Sequence, residues 1–244
     1  MPEGFESWSD IQSEYEQFHE KNVKGDSLQR YLDEIDSVRE IYAVEYQIEG
    51  KVLDVGGHQG RLRHHLGTEV SLYVSIDPFI GIFSGIKFQP NLLRAYPSLS
   101  EPCNFISAHA EYLPFKSDSF DWIHMRSVVD HFADPYLAFL EAYRCSTVGG
   151  RLLVGLAILE AKEKPKQSGV LALYHGIAKG LRNLTTLMSF SGRSDDHMFR
   201  LTHGTLKDLF EKTGWDVTKE HWQKPPSQFC IYACGQKRET IPPS

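Results

Sequence analysis

The stretch Val52-Leu53-Asp54-Val55-Gly56-Gly57-His58-Gln59-Gly60 constrains this chain more than any other. An apolar run of strand character enters a turn carrying three glycines, and a segment of helical character opens at Arg61. Glycine in such a turn permits positive φ and lets the backbone approach a ligand closely, which is how a strand–turn–helix unit holds the polar part of a nucleotide-like molecule. A purely structural turn has the same composition, so the neighbouring residues must decide between the two.

Two carboxylates stand beside the turn. Asp54 lies two residues before the first glycine, where a dinucleotide-binding strand usually carries an apolar side chain, and an acid there can take an ammonium directly or through water. The next apolar run ends at Ile76-Asp77-Pro78, so Asp77 is expected at the carboxyl edge of a sheet, about 20 residues beyond the glycines, where a carboxylate accepts both hydroxyls of a ribose. An Asp before Pro also shapes turns, which is the plainer alternative.

Short apolar runs at Lys51–Val55, Leu72–Ile76, Phe105–Ser107, Trp122–Met125 and Arg151–Leu156 alternate with helix-like or loop segments. That rhythm predicts an α/β fold, doubly wound around a mostly parallel sheet. Intervening helices are predicted at Arg61–Leu66, stopped by Gly67, and at Tyr136–Arg144, with Gly149–Gly150 turning the chain back into a strand. Upstream, Leu28, Tyr31, Leu32, Ile35, Val38 and Ile41 recur at helical spacing, and Ile11–His19 is weakly helical. Residues 1–48 therefore read as an N-terminal helical cap on a domain spanning 49–244. Residues 160–200, with Lys162, Lys164, Lys166 and polar Ser191–Asp196, break the rhythm and read as an inserted lid. Thr202–Lys212 reads as a capped helix ended by Gly214, and Trp215–His221 with Phe229–Cys234 as a closing antiparallel hairpin, Pro225–Pro226 in its loop.

Composition narrows the partners. A formal net charge of −6 over 244 residues offers no bulk basic field for nucleic acid or an anionic membrane. Met1–Asp10 has no cationic segment leading into an apolar run, and no stretch approaches the roughly 18 apolar residues of a membrane span. Cys103, Cys145, Cys230 and Cys234 are scattered without a metal-type pair, so a reduced, cytoplasmic setting is the simpler reading and no metal is expected.

A third segment makes the reading specific. Ala108-His109-Ala110-Glu111-Tyr112-Leu113-Pro114-Phe115-Lys116-Ser117-Asp118-Ser119-Phe120-Asp121-Trp122-Ile123 resembles the G-D-A-x-x-L-P-F-x-x-x-S-F-D-x-V segment of class I S-adenosylmethionine-dependent methyltransferases, in the small-molecule (type 11-like) branch that includes quinone and sterol methyltransferases. The resemblance covers Val52 to about Leu156 well and extends loosely through Thr202–Gly214. It implies a Rossmann-like, seven-stranded sheet with an antiparallel last strand and S-adenosylmethionine lying across the carboxyl edge. On that reading Asp54, Gly56 and Gly60 surround the methionine part, Asp77 holds the ribose, and His109 and Ala110 lie beside the adenine; Gly57, His58, Pro78 and Glu111 complete the cofactor-binding set. Ser127 and the following Val128-Val129-Asp130-His131 match the segment that passes under the sulfonium and begins the substrate pocket. Two positions depart from the family: His58 stands where glycine is usual, and His109 where aspartate is usual.

Methyl transfer from a sulfonium asks the protein for alignment, desolvation and disposal of a proton. A hydroxyl acceptor is helped by a general base, and histidine is its usual source. Eleven histidines are present, so location must choose among them. His131 follows the fourth strand and faces the acceptor if the resemblance holds, or else satisfies a helix start. His197, in Asp195-Asp196-His197-Met198-Phe199, borders the presumed pocket from the lid, or else is a solvated loop residue. His64 and His65 read as the outer face of their helix, and Tyr174, His175, Met188, Phe190 and Phe199 as lining for an apolar acceptor cavity or as ordinary core. The expected activity is methylation of a small molecule, with oxygen the guessed acceptor atom. A non-catalytic, methyltransferase-like binding subunit and an NAD(P)-dependent oxidoreductase are the alternatives.

Overall fold

A computed structural model describes residues 26–79, 89–158, 201–223 and 230–239. Its centre is a seven-stranded sheet: β1 Gly50–Val55, β2 Val70–Ile76, β3 Asn104–Ile106, β4 Phe120–Arg126, β5 Ser146–Ala157, β6 Trp215–Gln223 and β7 Cys230–Lys237. The spatial order is β3-β2-β1-β4-β5-β7-β6. Strands β1 to β5 are parallel, and β7 enters antiparallel between β5 and β6, as the expected closing hairpin requires. The order reverses between β1 and β4, and a crevice opens there at the carboxyl ends of the strands.

Burial on both faces explains the apolar runs. In β4, Trp122 to Met125 are all buried, because helices or turns cover each side of a parallel sheet. On one face Leu53, Val55, Ile123, Met125, Leu152 and Val154 pack with Phe139 of α3 (Pro135–Cys145) and with Leu206 and Phe210 of α4 (His203–Lys212). On the other, Val52, Trp122, Leu153, Tyr232 and Cys234 pack with Val38, Ile41, Tyr42 and Tyr46.

Val38 comes from α1 (Leu28–Glu40), Ile41 and Tyr42 from the π turn Ile41–Glu45 that continues it, and Tyr46 caps that turn. Tyr31 and Ile35 of α1 meet Leu92, Ala95 and Tyr96 around α2 (Pro90–Ala95), whose first amides donate to both carboxylate oxygens of Asp26 at 3.0 Å. The amphipathic stripe seen in the sequence thus divides, Tyr31 and Ile35 packing on α2 while Val38 and Ile41 cover the sheet.

One expectation is corrected. Arg61–Leu66 is not an α-helix: Arg61–His65 forms a short 3-10 turn. The glycine turn uses up much of the link from Val55 to Val70, and Gly67 ends what remains, so the face is covered by α1 arriving from earlier in the chain. Strand β5 is longer than predicted, because Thr147–Gly150 is absorbed as an irregularity between the Phe120↔Ser146 and Trp122↔Arg151 pairs, with Gly149 at φ +74°. The stretch 160–200, Ile11–His19 and the hairpin's proline loop lie outside the described residues. Among the described residues no helix is long and apolar enough to cross a membrane.

Candidate functional site

The glycine turn hangs from the end of β2: the amides of Gly56 and Gly57 both donate to the carbonyl of Ile76, at 2.9 and 3.2 Å. Each glycine answers to a contact or a conformation. Gly56 has φ +65°, and a Cβ there would lie 2.3 Å from Val128 Cγ2. A Cβ on Gly57 would lie 2.3 Å from Ser75 Oγ and 2.7 Å from Asp54 Oδ2. Gly60 takes φ +77°, and His58, the departure noted above, takes the left-handed φ of 52° that glycine would adopt freely. Ser127, across the crevice, also sits at φ 53°, its amide donating to Gly155.

Two clefts meet over this turn and share Gly56, His58 and Ser127. The first is walled by Val55, Ile76, Pro78, Phe79, Ala108, Ala110 and Phe132, and Asp77, His109, Glu111 and His131 enter it. Asp77 is buried, and its Oδ1 accepts the amide of Phe79 at 2.9 Å. Burial raises its pKa to about 6, against the opposing pull of the Phe79 and His58 amides. Glu111 stands in the same wall, but its Oε1 accepts the amides of Ala133 (2.8 Å) and Asp134 (3.2 Å), which tie the wall to the start of α3. His131 Nε2 lies 4.0 Å from Asp130 Oδ1.

The second cleft is polar. Asp54 lies beneath it, directly opposite His124 in the β1–β4 register and opposite Ser75 in the β1–β2 register. Period-two alternation puts these side chains on one face. His124 Nδ1 meets Asp54 Oδ1 at 2.7 Å, and the Tyr73 hydroxyl donates to Asp54 Oδ2 at 2.5 Å. His124 Nε2 in turn meets the Tyr42 hydroxyl at 2.8 Å. Above them Glu34 accepts from Arg61 at 2.8 Å and from Arg126 at 3.5 Å, and Arg126 Nε donates to the Tyr232 hydroxyl. His65 borders this cleft, stacked on Tyr42 at 5.1 Å, instead of lying on an outer face; burial lowers its pKa to about 4.

The first cleft has apolar walls, a buried carboxylate at its edge and Gly56 in its floor, where an added Cβ would collide with Val128. Residues 53–154 match the family model described as a methyltransferase domain. The fold is the one that solved methyltransferases have.

Solved structures share this chain's fold at low identity. An S-adenosylmethionine-dependent methyltransferase from Thermotoga maritima is 20% identical, with a TM-score of 0.56 over 92% of this chain and 98% of its own. The magnesium protoporphyrin IX methyltransferase of Synechocystis, solved with bound S-adenosylhomocysteine, is 13% identical, with a TM-score of 0.58 over 90% of this chain and 93% of its own. A Haloferax volcanii methyltransferase complex containing an activator gives 14% identity and a TM-score of 0.59 over 91% and 98%. No curated protein matches the sequence at a significant level.

Of the expected cofactor residues, Gly56, His58, Asp77, Pro78, His109, Ala110, Glu111 and Ser127 converge on the first cleft, together with His131. Asp54 and Gly57 lie on the second, and Gly60 shapes the turn without lining either. His197 and the apolar set from Tyr174 to Phe199 lie outside the described residues. Sequence reasoning missed Tyr42, Tyr73, His124, Arg126 and Glu34. For His124 and Arg126 a signal existed, since two polar side chains at alternate positions interrupt the apolar strand Trp122-Ile123-His124-Met125-Arg126. Tyr42 follows the last residue of the helical stripe, Ile41, and no local pattern marked it.

Proposed function

We propose that this protein is a methyltransferase that transfers the methyl group of S-adenosylmethionine to a hydroxyl of a small-molecule acceptor, leaving S-adenosylhomocysteine. The observation that carries the reading is the meeting of an apolar cleft holding a buried carboxylate with a polar cleft, across Gly56, His58 and Ser127. When bound, the cofactor supplies an electrophilic methyl group on a sulfonium. Asp77 accepts the ribose hydroxyls with Pro78 at its side; His109, Ala110 and Glu111 border the adenine; and the turn Gly56 to Gly60, with Asp54 beneath it, seats the amino-acid end. His131 is the base for an acceptor that approaches along the first cleft, and His197 the base supplied by the 160–200 segment, acting as a lid on the 49–244 domain. Residues 1–48 act as its cap.

The net charge of −6 favours a small acceptor over nucleic acid. Four unpaired cysteines, with burial raising the thiol pKa of Cys145 and Cys234 to about 11, suit a reducing cytoplasm. A second reading, a non-catalytic binding subunit, is favoured by the internal bonds that already occupy both oxygens of Asp54. Calorimetric titration with S-adenosylmethionine, S-adenosylhomocysteine and NAD separates the readings. Micromolar binding of the two adenosyl ligands is expected; NAD binding alone would replace methyl transfer by hydride chemistry, and silence toward all three would favour the binding subunit.

A further inference from the structure

Asp54, His124 and Tyr42 form a continuous chain of hydrogen bonds that ends at the second cleft, and the cofactor reading uses only the first of them. The two bonds are 2.7 and 2.8 Å long, and all three residues are buried. A tyrosine hydroxyl carries a single proton, and an ionised carboxylate only accepts. The chain is therefore satisfied when Tyr42 donates to His124 Nε2 and His124 Nδ1–H donates to Asp54. Tyr73 holds the second oxygen of Asp54 and fixes the carboxylate in place. Burial keeps the Tyr42 phenol well above its usual pKa, even with Arg126 close by, so Tyr42 keeps the proton that this arrangement requires.

We propose that Tyr42, backed by His124 and Asp54, is the proton acceptor for a hydroxyl substrate seated in the second cleft. This rests on the methyl-transfer reading and, for an acceptor that enters by the second cleft instead of the first, puts Tyr42 in the place of His131 and His197 as the group that receives the proton. As the acceptor oxygen bonds to the methyl carbon, the carbon–sulfur bond breaks with its electron pair left on sulfur. The acceptor's proton passes to the Tyr42 oxygen while Tyr42's own proton passes to His124 Nε2. The positive charge lost from sulfur reappears on an imidazolium held against Asp54, and after product leaves, the extra proton returns through Tyr42 to solvent. The logic is that of a serine–histidine–aspartate triad with the tyrosine acting as relay instead of nucleophile. Tyr42 is catalytic in this scheme; His124 and Asp54 are positioning residues.

The other groups facing Tyr42 leave the route open. His65, stacked on its ring, has its pKa lowered to about 4; Arg126 is tied to Tyr232 and Glu34; and Tyr232 packs edge-on at 6.4 Å. Among the described residues the Tyr42 hydroxyl bonds to His124 alone, and its oxygen lone pairs face the acceptor.

The test joins spectroscopy to turnover. Long-range proton–nitrogen correlation on labelled protein reads both ring nitrogens of His124 in wild type and in Tyr42→Phe. The expected wild-type spectrum has the proton on Nδ1 and a bare Nε2 whose shift moves in Tyr42→Phe. A proton on Nε2 overturns the proposal, because the ring then has no place for the acceptor's proton. Turnover is read as S-adenosylhomocysteine released with a mixture of catechol, simple phenols and hydroxy acids. Tyr42→Phe should lower kcat at least tenfold near neutral pH, with S-adenosylhomocysteine affinity within twofold of wild type, and the loss should shrink as pH rises and the acceptor ionises unaided. Equal kcat in the two proteins overturns the proposal. If wild type releases no product with any acceptor, the methyl-transfer reading fails and takes Tyr42's role with it, while the His124 spectrum, which needs no acceptor, reports on the relay separately.

Discussion

Gly57 stands directly over Asp54: a Cβ at residue 57 would come within 2.7 Å of Asp54 Oδ2. The backbone there does not need glycine for its φ, so the requirement is one of space alone. Gly57→Ala must displace either the turn or the carboxylate. Overpacking of this kind costs about 1–3 kcal/mol, so a lowered denaturation midpoint is expected. S-adenosylhomocysteine affinity should fall more than tenfold, and an unchanged affinity would remove the turn from the cofactor site.

Asp77→Ala should weaken adenosyl-ligand binding more than tenfold, measured by calorimetry. An unchanged dissociation constant would end its assignment to the ribose.

The raised pKa of Asp77 has a definite pH signature. Its folded value is about 6 against an ordinary 3.8, so between those values the folded state holds more proton than the unfolded one. The neutral carboxyl's contribution is complete below about pH 4 and is lost as pH rises through 6, a swing of about 3 kcal/mol by linkage. Relative to Asp77→Asn, wild type should therefore lose stability across that window in urea titrations at stepped pH. Adenosyl-ligand affinity should move the opposite way, rising from pH 5 to 7, because ribose hydroxyls donate better to the ionised carboxylate. Parallel stability curves for the two proteins would show that burial does not set this group.

Glu111→Ala removes the acceptor for the amides of Ala133 and Asp134. Leaving such donors unsatisfied costs about 1–3 kcal/mol, so chemical denaturation should show the loss. Cofactor affinity should change by less than the stability does; a large affinity loss in a protein of wild-type stability would make Glu111 a direct ligand instead.

His58→Gly relieves a left-handed backbone that costs a non-glycine residue about 1–2 kcal/mol, partly offset by the greater freedom of glycine when unfolded. A small gain in stability with adenosyl affinity retained is expected. A tenfold loss of affinity would show that the imidazole itself holds the cofactor.

The sheet's rhythm, the glycine turn and Asp77 were legible because each is a local pattern: a run of apolar residues, a turn composition, an acid at the end of a strand. The helix expected at Arg61–Leu66 failed for a reason no local pattern carries, since its face was already covered by α1 from earlier in the chain. His64 and His65 were misplaced by the same omission: once α1 lies across that turn, the side of it bearing His65 turns inward against Tyr42.

What the sequence by itself determined is the kind of fold, because apolar runs, a glycine turn and a distal acid act through spacing along the chain, while S-adenosylmethionine followed from the resemblance that Ala108–Ile123 carries. What only tertiary structure decided is the environment of Asp54. Its partners lie 19 and 70 residues away at Tyr73 and His124, and Tyr42 lies 82 residues from His124. Parallel pairing sets Asp54 opposite His124, and the packing of α1 on the same face brings the phenol to the imidazole. A hydrogen bond depends on separation in space, and sheet register and helix packing fix that separation only when the whole chain has folded.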